Sequence, residues 1–208
     1  MKLSKILDLG NTPLLVLKFF MIFELEEGSN MQLEKRCWIL LLIVVFLAGC
    51  AHTSVPKQIP PLDLSIVDKY QENLSVELIN DQPNATPVIY AGIGGHTYYA
   101  NYNEWTQFFI NRYTSELTKR GVLVSKDSPN KIKVKLSNFA FIQGWAKVRA
   151  NMVVQMSSVD GKWSKTYEET DTSGWSAGRA FGSVIYHTIE KFLKDPEIID
   201  RMKIDNIK

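Results

Sequence analysis

Apolar and polar positions change period several times along this chain, and each change marks an element. In "NLSVELIN", residues 73–80, Leu74, Val76 and Leu78 fall on one side, the period-two pattern of a half-buried strand. Asp81 to Pro87 is turn-rich. "VIYAG" after it reads as a short second strand or an extension, ended by a flexible "GIGG". From Asn103 the period lengthens. Trp105, Phe109, Tyr113 and Leu117 recur every four residues on one helix face, with Phe108 and Ile110 beside them. Asn103 suits the N-cap, Glu104 the positive first turn, and Lys119-Arg120-Gly121 the stop.

"KIKVKL", residues 131–136, then alternates fully, with Ile132, Val134 and Leu136 inward. After Gly144, Ala146, Val148, Ala150, Met152, Val154 and Met156 share one face of a longer strand. Lys147, Arg149, Asn151 and Gln155 share the other, which is expected to be solvated. Asp160-Gly161 is a hairpin signal and "KWSKTYEET" the returning strand, so these two long strands must be antiparallel. A last helix opens near Ser176, its apolar stripe running from Ala177 and Ala180 through Phe181, Val184, Ile185, Ile189 and Phe192 to Leu193. Asp195-Pro196 stops it and caps a final short turn, pinned by Ile198, Ile199 and Met202. The expected fold is α+β: an antiparallel sheet of about four strands with two amphipathic helices packed on one face, over residues 64–208.

The N-terminal part follows another pattern. Cys37 to Gly49 is an uncharged run of 13 residues, preceded by Lys35 and Arg36 and closed by the small residues Ala48 and Gly49. A spanning helix needs about 20 residues. A basic start, an apolar middle and a small-residue exit make a secretory signal instead. Leu47-Ala48-Gly49-Cys50 resembles the lipobox of bacterial lipoproteins, which implies that Cys50 carries the lipid and becomes the first residue of the mature chain. Residues 31–49 starting at Met31 make a signal of ordinary length, so residues 1–30 are read as a misassigned upstream start or a dispensable extension. Residues 50–63 then combine the lipidated cysteine with a tether semi-extended through Pro56, Pro60 and Pro61, reaching roughly 30–40 Å.

Composition narrows the chemistry. Removing 49 of 208 residues leaves 159, enough for one domain, and takes away five Lys/Arg and five Asp/Glu, so the net charge stays +2. No clustered basic excess points to nucleic acid. Cys37 leaves with the signal and Cys50 is lipidated, so no internal disulfide is expected. His52, His96 and His187 alone do not supply a zinc set, and no metal or cofactor is expected. "GIGGH", 92–96, lacks the Lys-Ser/Thr of a phosphate loop. Ser173 and Ser176 lie near Asp171 in the sequence, but His187 lies some 16 Å along the helix from Ser176 at about 1.5 Å per residue, too far for a local nucleophile and base. Glu168 and Glu169 point to opposite faces of a strand.

No catalytic set emerges. The remaining candidate is "YAGIGGHTYYANYNEW", where Tyr98, Tyr99 and Tyr102, with Tyr90 and Trp105 nearby, suit an adaptable recognition loop. The competing reading is that these rings roof the core where the loop meets the first helix.

Taken together, the lipobox, the helix ending "LTKRGVLV", the strand "KIKVKLSNF", the stretch "KVRANMVVQMSSVDGKWSKTYEE" and the closing "LKDPEII" resemble the YajG-type lipoproteins of Gram-negative bacteria, over residues 31–203. In layout they are also similar to ABC-transport auxiliary lipoproteins and activators of cell-wall synthases. The resemblance implies a membrane-tethered periplasmic binding module rather than an enzyme. Its partners would be the bilayer, through acylated Cys50, and a protein of the envelope. Ala51 after the cysteine implies, by resemblance to enterobacterial sorting, delivery to the periplasmic face of the outer membrane. The alternative is a carrier or auxiliary protein for a lipid or other hydrophobic ligand, held between sheet and helices. Phe109, Phe181, Phe192 and the methionines argue against such a cavity, because they would fill it.

Overall fold

The computed structural model describes residues 38, 51–54, 59–93, 96–174 and 176–204. The upstream extension, almost all of the signal, Cys50, Pro56 and the centre of "GIGGH" lie outside the described residues. By its contacts the chain divides into Met1–Ala48 and Gly49–Lys208, and all the elements described below belong to the second unit.

That unit is α+β, but with two sheets. The larger has five strands in the order β5-β2-β6-β7-β8: β2 Ser75–Asn80, β5 Leu123–Val124, β6 Lys131–Gln143, β7 Val148–Ser158 and β8 Ser164–Ser173. The smaller has the order β1-β4-β3: β1 Ala51–Ser54, β3 Val88–Ile93 and β4 His96–Ala100. Among the described residues three helices complete the unit: α1 Tyr102–Lys119, α2 Ala177–Lys194 and the short α3 Pro196–Asp200.

The expected sheet of about four antiparallel strands is corrected by this arrangement. β6, β7 and β8 form an antiparallel meander as the hairpin signals require, but β2 runs parallel to β6 and to β5. The reason is chain length. The β3–β4 hairpin, α1 and β5 separate β2 from β6, a connection long enough to carry the chain back so that the strands start from the same end. Alternation in β2 specifies which face is buried but not which neighbour or direction the strand takes.

The segment read as a tether is partly built into the domain. Ala51–Ser54 pair parallel to β4, and Ile59 and Leu62 are buried in the core. The Leu62 N–H donates to the Glu116 carboxylate (3.1 Å), and Lys119 donates to the Leu62 carbonyl (2.6 Å).

The termini of the helices explain where they begin and end. Asn101, not Asn103, caps α1: its side chain accepts from the Glu104 N–H (3.1 Å), while Asn103 donates to the Gln82 carbonyl (2.5 Å). α1 ends in a Schellman motif. Gly121 has φ 90°, its N–H donates to the Thr118 carbonyl, and the Val122 N–H reaches Leu117. Ser176 caps α2 and Asp195 caps α3, as their sequence positions predict.

The core lies between the larger sheet and everything that covers one of its faces. α1, α2 and the small sheet all pack on the side carrying Ile132, Val134, Leu136, Phe139 and Phe141 of β6 and Val148, Ala150, Met152, Val154 and Met156 of β7. Phe109, Tyr113, Phe181, Ile189 and Phe192 enter from the helices. Their rings meet edge-on, with Phe192 5.5 Å from Phe109 and 5.6 Å from Tyr113.

Candidate functional site

The tyrosine-rich segment is a hairpin rather than a loop. β3 and β4 pair antiparallel, and β1 flanks β4. The pleat of β4 sends Tyr98 and Tyr99 to opposite faces. Tyr98 lies edge-on to Phe141 (5.1 Å) and Tyr90 (6.3 Å), and Tyr90 in turn packs on Phe139, Phe141 and Phe181. Tyr102 opens α1 and lies edge-on to Phe139 at 4.8 Å, its hydroxyl accepting from the Phe139 N–H at 3.5 Å. The structure therefore joins Tyr98 and Tyr102 in one aromatic cluster that fastens the small sheet to β6, and sets Tyr99 on the other side of its strand. All three are half-buried.

Two histidines join this end of the molecule. His52 of β1 stacks on Tyr98 at 5.1 Å, and its Nε2 lies 2.8 Å from Nδ1 of His96. Both side chains are exposed. Among the described residues no group of three or more His, Cys, Asp or Glu is placed to hold a metal ion.

A second constellation was only half visible in the sequence. Asp171 on β8 and His187 on α2 do meet, with His187 Nε2 3.8 Å from Asp171 Oδ2. The serine that joins them is Ser183, not Ser173 or Ser176, and its hydroxyl donates to Asp171. Ser183 and His187 stand four residues apart on α2, a spacing that would have flagged one helix face. His187 Nδ1 also lies 3.3 Å from Glu190. The hydrogen bonds from Ser183 and the Thr172 N–H, against the opposing effect of burial, hold the Asp171 carboxyl below its ordinary value. For nucleophilic catalysis the serine would donate to the imidazole. Here serine and imidazole both address the same carboxylate, so the group ties α2 to β8.

Beside it, a surface groove of about 470 Å³ is lined by Ile59, Pro60, Arg179, Gly182, Ser183 and Tyr186, among others.

A third group locks α3 onto the end of β8. Asp195 accepts from Lys165 (2.5 Å) and from the Tyr167 hydroxyl (2.6 Å). Burial pushes the Asp195 carboxyl up, but those two hydrogen bonds and the Glu197 N–H outweigh it and hold it below its ordinary value. Burial, then the hydrogen bond to Asp195, pushes the Tyr167 hydroxyl well up. Trp163 donates to Glu197 (2.5 Å), with the Arg201 guanidinium 4.3 Å above its ring.

What remains open is backbone. β8 is an edge of the larger sheet, ten residues long, and among the described residues no strand pairs with its outer side. Its exposed side chains are Ser164, Thr166, Glu168, Thr170 and Thr172. They continue the polar outer face, where Asn151 donates to Glu168 (2.8 Å) and Thr170 (3.0 Å), and Gln155 donates to Ser164 (2.9 Å).

No family model matches the chain, and no curated protein does. The solved structures that the chain resembles weakly include two of note. One, a crystal structure of an uncharacterized protein, is 9% identical with a TM-score of 0.35, covering 69% of this chain and 95% of its own. The other, lipoprotein GNA1162 from Neisseria meningitidis, is 9% identical with a TM-score of 0.31, covering 59% of this chain and 99% of its own. Similarity at this level assigns no family.

Proposed function

We propose that the chain is a lipoprotein anchored in the outer membrane through Cys50, facing the periplasm, and that it acts as a non-catalytic interaction module for an envelope protein. The observation that carries the reading is the edge strand β8. A sheet edge of ten residues offers a row of main-chain donors and acceptors to an extended segment of another protein, and strand addition is the recognition mode this geometry fits. The alternating hydroxyls of Ser164, Thr166, Thr170 and Thr172 would flank the added strand on its outer side.

The carrier reading finds less support. It needs an apolar cavity between sheet and helices, where Phe109, Phe139, Phe181, Phe192, Met152 and Met156 interlock instead. The lipid anchor rests on the run ending in Leu47-Ala48-Gly49-Cys50, and the outer membrane on Ala51 after it.

The test is site-specific photo-cross-linking in intact cells from Thr166 and Thr170, with Gln107 on α1 as the control position. The expected result is one protein adduct of defined mass at both β8 positions and none at Gln107. Adducts at all three positions alike, or none at β8, would refute strand addition. A lipid adduct without protein would favour the carrier.

A further inference from the structure

Of the large apolar side chains exposed among the described residues, Trp145 is the most exposed. Trp145 stands at the apex of the turn between β6 and β7 and is 92% exposed, and Ile142 beside it is 68% exposed. The turn is tight, with the Gly144 N–H donating to the Lys147 carbonyl at 2.8 Å, so Trp145 and Ala146 form its tip. Lys147 and Arg149 follow, both exposed, and no acidic residue occurs from Phe139 to Ala150. Exposed indole flanked by cations, without carboxylates, is the chemistry of a membrane–water interface.

The topology says where this tip points. Tyr102 packs on Phe139 at 4.8 Å and Tyr98 on Phe141 at 5.1 Å. Moving from Tyr102 back to Tyr98 therefore follows β6 from Phe139 to Phe141, toward the Trp145 turn. β1 is parallel to β4, with His52 opposite Tyr98 and Ala51 opposite Thr97. Ala51 is thus one step further in the same direction. Ala51, the residue that follows Cys50 in the sequence, and the Trp145 tip share one end of the domain.

We propose that this end docks on the phospholipid surface, with Trp145 and Ile142 entering the headgroup region and Lys147 and Arg149 pairing with anionic headgroups. The proposal rests on the reading of Cys50 as the lipid anchor. Because β1 begins beside that cysteine, the anchor holds the tip against the bilayer rather than letting the domain swing on a long tether. Docking fixes the orientation of the sheet edges relative to the membrane.

The test uses the mature protein purified from its own membrane and mixed with vesicles of phosphatidylethanolamine and phosphatidylglycerol, with and without brominated acyl chains. Flotation with the vesicles reads the anchor, and bromine quenching of tryptophan emission reads the tip. Trp105 and Trp163 are buried, and Trp175, which lies outside the described residues, is replaced by Phe in every sample, so a Trp145→Ala variant isolates the contribution of the tip. The proposal expects flotation together with quenching that is lost in W145A. Flotation without quenching, or with equal quenching in W145A, overturns docking and leaves the anchor standing. Quenching that depends on Trp145 without stable flotation keeps docking and removes the anchor. Neither signal overturns both.

Discussion

Glu116 and Arg120 are fully buried and lie 2.6 Å apart on the last turns of α1. Arg120 also donates to the carbonyls of Val67 (2.9 Å) and Asp63 (3.3 Å), and Glu116 accepts from the Leu62 N–H (3.1 Å), so one ion pair sews residues 62–67 to the helix. Replacing Glu116, which also pairs with Arg112 at 3.1 Å, leaves the Arg120 charge buried and uncompensated, which costs about 3–5 kcal/mol. Glu116→Gln is expected to lower stability by that order, measured by urea unfolding of the purified protein. Tyr113 is the opposite case. Its hydroxyl is buried with no hydrogen-bond partner among the described residues, and burial pushes its ionisation well up. Tyr113→Phe removes a desolvated group without losing a contact, so the midpoint of thermal unfolding is expected to stay or rise, by up to about 1 kcal/mol in stability. A clear fall would mean that the hydroxyl has a partner.

Among the elements, β8 is joined to α3 through Asp195 and Glu197 and to α2 through Asp171, carboxylates whose folded-state pKa is depressed. The sign follows from linkage. A depressed carboxylate contributes stability above its unfolded pKa, near 3.8 for Asp195, and loses it as pH falls through the lower folded value. The protein is expected to lose stability on acidification below about pH 4, with a shallower acid limb in Asp195→Asn, read from urea midpoints against pH. An unchanged acid limb in the variant would remove Asp195 from this role.

The elements also show what the sequence could and could not tell. α2, with its Ser176 cap and unbroken stripe, and the β7–β8 hairpin with Asp160-Gly161 are legible because their signals are local. The parallel pairing of β2 with β6 is not, since alternation carries no direction. β4 hid within a run of tyrosines and glycine, where aromatic density reads equally well as a loop. β1 and the burial of Ile59 and Leu62 were masked by prolines, which suggest extension but do not say what the extended chain packs against.

At the scale of the molecule the same division holds for function. The lipobox is a local signal, written in consecutive residues. The Asp171–Ser183–His187 contact, the open edge of β8 and the shared end of Ala51 and Trp145 depend on the tertiary fold; the spacing of Ser183 and His187 marks a helix face but not the strand it meets. Together they describe a domain with a packed interior, a ten-residue open edge at β8, and an indole-tipped turn at the same end as Ala51. The proposed placement at the membrane depends on Cys50.

The most direct test is the mass of the N-terminal peptide of the protein isolated from its own envelope. The account predicts a peptide that begins at Cys50 and carries a diacylglycerol thioether, with Cys50→Ala abolishing retention in the membrane fraction. An unmodified chain that begins before Cys50, or unchanged fractionation of the variant, would contradict it.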